Sequence, residues 1–127
     1  MELDIARWEE LLCSFEVFGS VRVLVSNGAE TIEVDGQFGG FSTAGEFFNV
    51  QTDTLDMHIR WEQLGAAFAV EKPGHMDGMA TRSFQFFDRT GAAAFKVLLN
   101  FQARLPLSEK RIPLMPVGLE IPVGLNA

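Results

Sequence analysis

Two histidines, one cysteine and ten basic side chains are the groups in this chain that could hold a metal or a charged ligand. His58 lies in Leu55-Asp56-Met57-His58-Ile59-Arg60, where apolar and polar residues alternate. In an extended strand this period of two puts Asp56, His58 and Arg60 on one face and Leu55, Met57 and Ile59 on the other. A neutral imidazole is the commonest side-chain metal ligand near neutral pH. A guanidinium two residues on adds a fork that binds carboxylates. The pair therefore suits a ligand with both a metal centre and carboxylates. It also reads as an exposed strand histidine beside a salt-bridged arginine. His75 falls in a Pro-Gly loop next to Met76 and ahead of Met79. Loops carry ligands, and Met is a weak axial metal ligand. A plain surface histidine is the other reading. Arg82, Phe84 and Phe86 share one face of a strand, as a cover for a flat apolar ligand or as core with a snorkelling arginine.

Other chemistries lack their residues. No P-loop, dinucleotide fingerprint or G-x-S-x-G elbow occurs. Two histidines and one cysteine do not make a four-ligand zinc site without carboxylates at odd spacings. Cys13 has no basic neighbour to activate it. The net charge is −7, and Lys110-Arg111 is the one adjacent basic pair singled out, which argues against nucleic acid and against anionic membranes. The residues read as a binding protein rather than as an enzyme. One cysteine leaves no intramolecular disulfide, the start MELDIARWEELL is acidic, and no run approaches the ~18–20 apolar residues of a membrane span, so a cytoplasmic location is expected.

The elements that must position these groups follow from periodicity. Ile5, Trp8, Leu12 and Phe15 recur at three and four, which predicts a helix over residues 4–18, capped by Asp4 and stopped by Gly19. From residue 20 the period is two. Val21, Val23 and Val25 form one face of a strand, Asn27-Gly28 a turn, and residues 31–35 the return strand. Residues 36–40 read as a loop or bulge. Further strands are expected over residues 45–50, 55–60, 66–72, 79–88 and 92–100, with turns at Thr52-Asp53-Thr54 and Arg89-Thr90-Gly91. Trp61 to Leu64 reads as a short helical connector ended by Gly65. One helix followed by six or seven strands with short turns is an α+β pattern with a large antiparallel sheet. The 127 residues suit one domain: a helix over 1–19, a sheet over 20–100 and a Pro-rich irregular segment over 101–127. Twelve phenylalanines and no tyrosine suggest a ring-packed sheet or a pocket for a flat apolar ligand.

Four segments carry a resemblance: GEFFNVQ at 45–51, MHIR at 57–60, AAFAVEKP at 66–73 and RSFQFFDRTGAAAFKVLL at 82–99. Their order and spacing resemble the ChuX/HutX haem-utilisation family and the half-repeats of HmuS/HemS-type haem-transport proteins, with weaker similarity from Trp8 through SVRVLVSNGAETIEV. The resemblance implies a saddle-like antiparallel sheet with flanking helices and a homodimer paired through sheet surface. It implies haem as the ligand and places the family's haem-contacting histidine on His58. Arg60, Lys72 or Arg82 would then pair with the propionates. Phe47, Phe48, Phe84 and Phe86 would give apolar contact, with His75 a further candidate. Some members carry another histidine where this chain has Ser26. Haem carriage or sequestration in iron acquisition is the expected role, with a haem donor or a reductase as a protein partner. Haem degradation driven by an external reductant, and a scaffold of the same fold that binds no haem, are the alternatives.

Overall fold

Asp4 opens the helical segment by accepting a hydrogen bond from the Ala6 backbone N–H. A 3₁₀ turn over Ile5–Arg7 leads into α1, Trp8–Ser14, and a second 3₁₀ turn over Phe15–Phe18 leads to Gly19. Leu11, Leu12, Phe15 and Phe18 are buried, and their spacing of i, i+1, i+4 and i+7 makes one apolar stripe. The structure, a computed structural model, describes residues 1–72 and 81–99. The expected Pro-rich segment over 101–127 lies outside the described residues.

Nine strands are described. They are β1 Glu2–Leu3, β2 Ser20–Ser26, β3 Thr31–Gln37, β4 Ser42–Ala44, β5 Phe47–Gln51, β6 Asp56–Arg60, β7 Leu64–Lys72, β8 Thr81–Asp88 and β9 Ala93–Leu98. Six form one sheet in the order β1-β7-β8-β9-β2-β3, and three form a second in the order β4-β5-β6. Each described pairing is antiparallel. The expected helix and antiparallel sheet are both present. Two strands were not anticipated. β1 is two residues long and is held at the sheet edge because Leu3 is buried and Met1 exchanges backbone bonds with Ala69. β4 has no apolar alternation of its own and exists through its pairing with β5, so Gly45 and Glu46 turn the chain instead of starting a strand.

Two glycines explain the other departures. β3 extends through Gly36 to Gln37 and the loop follows it. In that loop Gly40 has φ +56, and a Cβ there would lie 2.0 Å from the Gln51 carbonyl oxygen. Gly39 accepts a hydrogen bond from the Gln51 N–H, so this close approach ties the loop to the end of β5. β7 starts at Leu64 rather than after Gly65 and is bulged there. A Cβ on Gly65 would meet the Asp88 carbonyl oxygen at 2.6 Å, so the missing side chain is what lets β8 come in.

The core is a set of rings between the helix and the two sheets. Phe15 packs on Phe84 with centroids 4.7 Å apart, on Phe38 at 5.3 Å and on Phe86 at 6.2 Å. Trp8 stands edge-on to Phe48 at 5.3 Å and stacks on Trp61 at 5.4 Å. The first turn of α1 thus covers the small sheet, and the turn after it covers the large one. Beyond the helix the cover ends: Val25 and Ile32, at the tip of the β2–β3 hairpin, are exposed.

Phe15 is 0% exposed, and four rings surround it. Phe15→Ala is expected to cost about 3–5 kcal/mol, read as a lowered midpoint in urea unfolding. An effect under ~1 kcal/mol would mean that the helix does not close this core. Gly40→Ala forces a side chain onto backbone at a positive φ and is expected to destabilise by more than about 1 kcal/mol. Wild-type thermal stability in that variant would contradict the close approach of the loop to β5.

Candidate functional site

β5 and β6 pair with Phe47 opposite Arg60, Phe48 opposite Ile59, Asn49 opposite His58, Val50 opposite Met57 and Gln51 opposite Asp56. Alternation then sorts the side chains. Phe48, Val50 and Ile59 are buried against the core. Phe47, Asn49 and Gln51 share the opposite face with Asp56, His58 and Arg60. β4 adds Ser42 beside Asn49 and Ala44 beside Phe47 on that face. β6 is an edge of the three-stranded sheet, so His58 stands on an edge strand.

The polar face is organised in rows across the strands. His58 Nδ1 lies 2.7 Å from Asn49 Oδ1, and Asn49 Nδ2 donates to Ser42 Oγ at 3.3 Å. Gln51 Nε2 donates to Asp56 Oδ1 at 3.3 Å, and the same carboxylate oxygen lies 3.2 Å from His58 Nε2. Arg60 lies over the Phe47 ring, 5.3 Å from its centroid, with its Nε 3.3 Å from Glu46 Oε1. The His58 side chain is 49% exposed, while Asn49 is only 7% exposed. The imidazole is thus half-exposed, held at Nδ1 by the neighbouring strand and flanked at Nε2 by Asp56. Arg60 and Glu46 are both more than half exposed, and such a pair holds by no more than about 1 kcal/mol.

Of the expected site residues, His58 and Arg60 are brought together on one face, with Phe47 beside Arg60. Phe48 is a correction. It is one position out of phase with Asn49, is 1% exposed, and is enclosed by Trp8 and Phe41. It supports the sheet from behind and offers no surface to a ligand. Arg82 lies on the large sheet, with Glu71 of the neighbouring strand 3.6 Å away. Phe84 and Phe86, on its face, are core residues against Phe15. His75 lies outside the described residues. Asn49 was passed over in the sequence. The available signal was an amide in a strand between Phe48 and Val50, where burial requires it to have partners.

Other chemistry on the described residues is limited. No group of three His, Cys, Asp or Glu side chains converges there as a bare-metal site. Burial, with Glu9 and Glu16 nearby, pushes the Cys13 thiol up and so away from thiolate reactivity. A shallow hollow of about 230 Å³ lies between Leu24, Gln85, Phe87, Ala94 and Lys96, on the large sheet. It is smaller than the ~300–1,000 Å³ of ordinary small-molecule sites, and His58 does not line it.

With this geometry in place, similarity to known proteins is informative. A sequence comparison with curated proteins finds no match. Among solved structures, the chain is similar to holo-PhuS, a heme-binding protein from Pseudomonas aeruginosa, with TM-score 0.69 and 25% identity over 90% of this chain and 36% of that one. It is similar to ChuX with TM-score 0.67 and 21% identity, over 77% of this chain and 61% of that one. The Escherichia coli O157:H7 heme degrading enzyme ChuS gives TM-score 0.66 and 18% identity, over 76% of this chain and 29% of that one. The chain therefore spans less than two thirds of the length of each of these three. The last two likenesses establish the fold, a helix with a large antiparallel sheet. The family model for haem utilisation ChuX/HutX matches residues 1–110. This chain, with its His-Ile-Arg edge strand, belongs to the ChuX/HutX haem-utilisation family.

Proposed function

We propose that this chain binds haem and carries or sequesters it, with His58 Nε2 as the protein's ligand to the iron and Arg60 as the partner of a propionate. One observation carries the reading. An exposed imidazole stands on a strand face, fixed at one nitrogen by Asn49, with a guanidinium two residues along the same face. A single imidazole is a poor cage for a bare ion. It would suit haem, whose iron is already held by the porphyrin, so that a single protein nitrogen such as His58 Nε2 would be enough to hold it. The charge pattern fits as well: the face holds one cation able to change partners, and a propionate is the anion that haem brings. Bound haem would supply redox-active iron; the residues named here bind and orient it.

Family membership supports the haem reading, as do neighbours described as heme-binding proteins, apo-PhuS and ChuX among them. A second reading, haem breakdown, draws on the neighbour ChuS, described as a heme degrading enzyme and as an E. coli heme oxygenase. That reading needs electrons from a reductase. The half-exposed ring of His58 favours hand-over to a partner, and so carriage, over enclosed chemistry. The family resemblance further implies a homodimer in the cytoplasm. Among the described residues no helix is long and apolar enough to cross a membrane.

Titration of the protein with hemin is expected to give a shifted Soret band and one haem per chain. His58→Ala should lose that band or weaken binding at least ~10-fold, about 1.4 kcal/mol. A Soret band unchanged in His58→Ala would remove His58 from the site. Arg60→Ala should weaken hemin binding severalfold, an effect of about 0.5–1 kcal/mol that shrinks as salt is raised. A salt-independent loss would show that Arg60 acts through packing on Phe47 instead. Incubation of the haem complex with a reductase is expected to leave the haem intact; a biliverdin-like product would favour breakdown.

A further inference from the structure

Asn49 is the one buried polar side chain among the described residues. Its place in a strand, between Phe48 and Val50, is where β-branched or aromatic residues fit best. A buried amide there must have both its oxygen and its nitrogen satisfied. Register provides the partners. Ser42, Asn49 and His58 stand directly across from one another on β4, β5 and β6. The amide nitrogen donates to Ser42 Oγ, and the amide oxygen faces His58 Nδ1 at 2.7 Å.

An amide oxygen only accepts, so the ring nitrogen facing it must carry the proton. In a neutral imidazole the lone pair is then on Nε2, the outer nitrogen. Histidines that ligate metals are ordinarily held this way, with the second ring N–H donated to an oxygen that fixes both tautomer and ring plane. We propose that Asn49 is a positioning residue that holds His58 in the Nδ1–H tautomer and presents Nε2 as the electron-pair donor. Its use toward haem iron rests on the reading given above. Asp56 is the competitor, because its Oδ1 lies 3.2 Å from Nε2. If the Asn49 amide were turned over, Nδ2 would donate to Nδ1 and Nε2–H would donate to Asp56. The coordinating atom would then be blocked. The two amide orientations give opposite tautomers, so one measurement decides between them.

That measurement is two-bond ¹H–¹⁵N correlation NMR on ¹⁵N-labelled full-length protein without hemin, at a pH where the ring is neutral, with His58→Ala assigning the signals. The Nδ1–H pattern is expected, and a dominant Nε2–H pattern overturns the proposal. Asn49→Leu should shift His58 toward Nε2–H and weaken hemin binding by about 10–100-fold, while Asn49→Asp keeps an acceptor oxygen and should retain the Nδ1–H tautomer. A folded Asn49→Leu protein with the wild-type tautomer and wild-type hemin affinity overturns it too. If that variant does not fold, the wild-type and Asn49→Asp spectra still decide. The tautomer is read in the absence of hemin. Failure of His58→Ala to alter hemin binding would therefore sink the haem reading, and the NMR pattern would still judge Asn49.

Discussion

The register between β5 and β6 is the constraint on which the rest of this structure depends. With Asn49 opposite His58, the pair Phe48 and Ile59 turns inward and the polar row turns outward. A slip of β6 by one residue would bury His58 and Arg60 and expose Ile59, and a slip of β5 would expose Phe48 and Val50, because strand side chains alternate with a period of two. The slip is opposed by burial. Phe48, Val50 and Ile59 are each at most 5% exposed, and each large apolar side chain taken from water contributes about 1.5–3 kcal/mol. The site residues contribute little to holding the register. The apolar half of the same two strands does that work.

The rings of the helix make this register a tertiary property. Trp8 reaches Phe48 and Trp61, which lie at the same end of the antiparallel β5–β6 pair, while Phe15, seven residues later, reaches Phe84 and Phe86. Seven residues are about two turns, so one helical stripe addresses both sheets. The twelve phenylalanines serve mainly this purpose where they can be followed: Phe15, Phe18, Phe38, Phe48, Phe84, Phe86 and Phe95 are all buried. A ring-rich composition suggested either a packed sheet or a ligand pocket, and for these seven the packed sheet holds. Phe47 is the one that turns to the polar face, beneath Arg60.

What was legible in the sequence is what depends on short-range pattern. The helix with its Asp4 cap, the strand containing His58 and the sorting of Asp56, His58 and Arg60 to one face all follow from periods of 3.6 and 2 within a few residues. What was not legible depends on a second strand. β4 is three unremarkable residues whose extended form comes from β5. Gly65 looked like a stop because its role, letting Asp88 approach, lies in a neighbour more than twenty residues away. Phe48 was assigned to the ligand because its phase relative to His58 is set by the pairing of two strands, and neither strand states that phase alone. Asn49 is illegible for the same reason: only the register puts it beside the imidazole.

The same register bears on why an exposed imidazole would be useful. A ligand fully enclosed by protein is held tightly and leaves slowly, since differences in affinity are mostly differences in departure rate. Here the polar face has an anchored ring, a cation held by an exposed ion pair, and an acidic neighbour, Asp56, within reach of Nε2. Asn49 fixes where the ring points. Asp56 can pair with the outer nitrogen only when Nε2 carries a proton, so a proton held there by Asp56 would compete with a ligand for the same nitrogen. An acceptor that orients the ring at Nδ1 and a proton-dependent competitor at Nε2 would make a ligand site that is oriented but reversible, the balance that the proposed carriage requires.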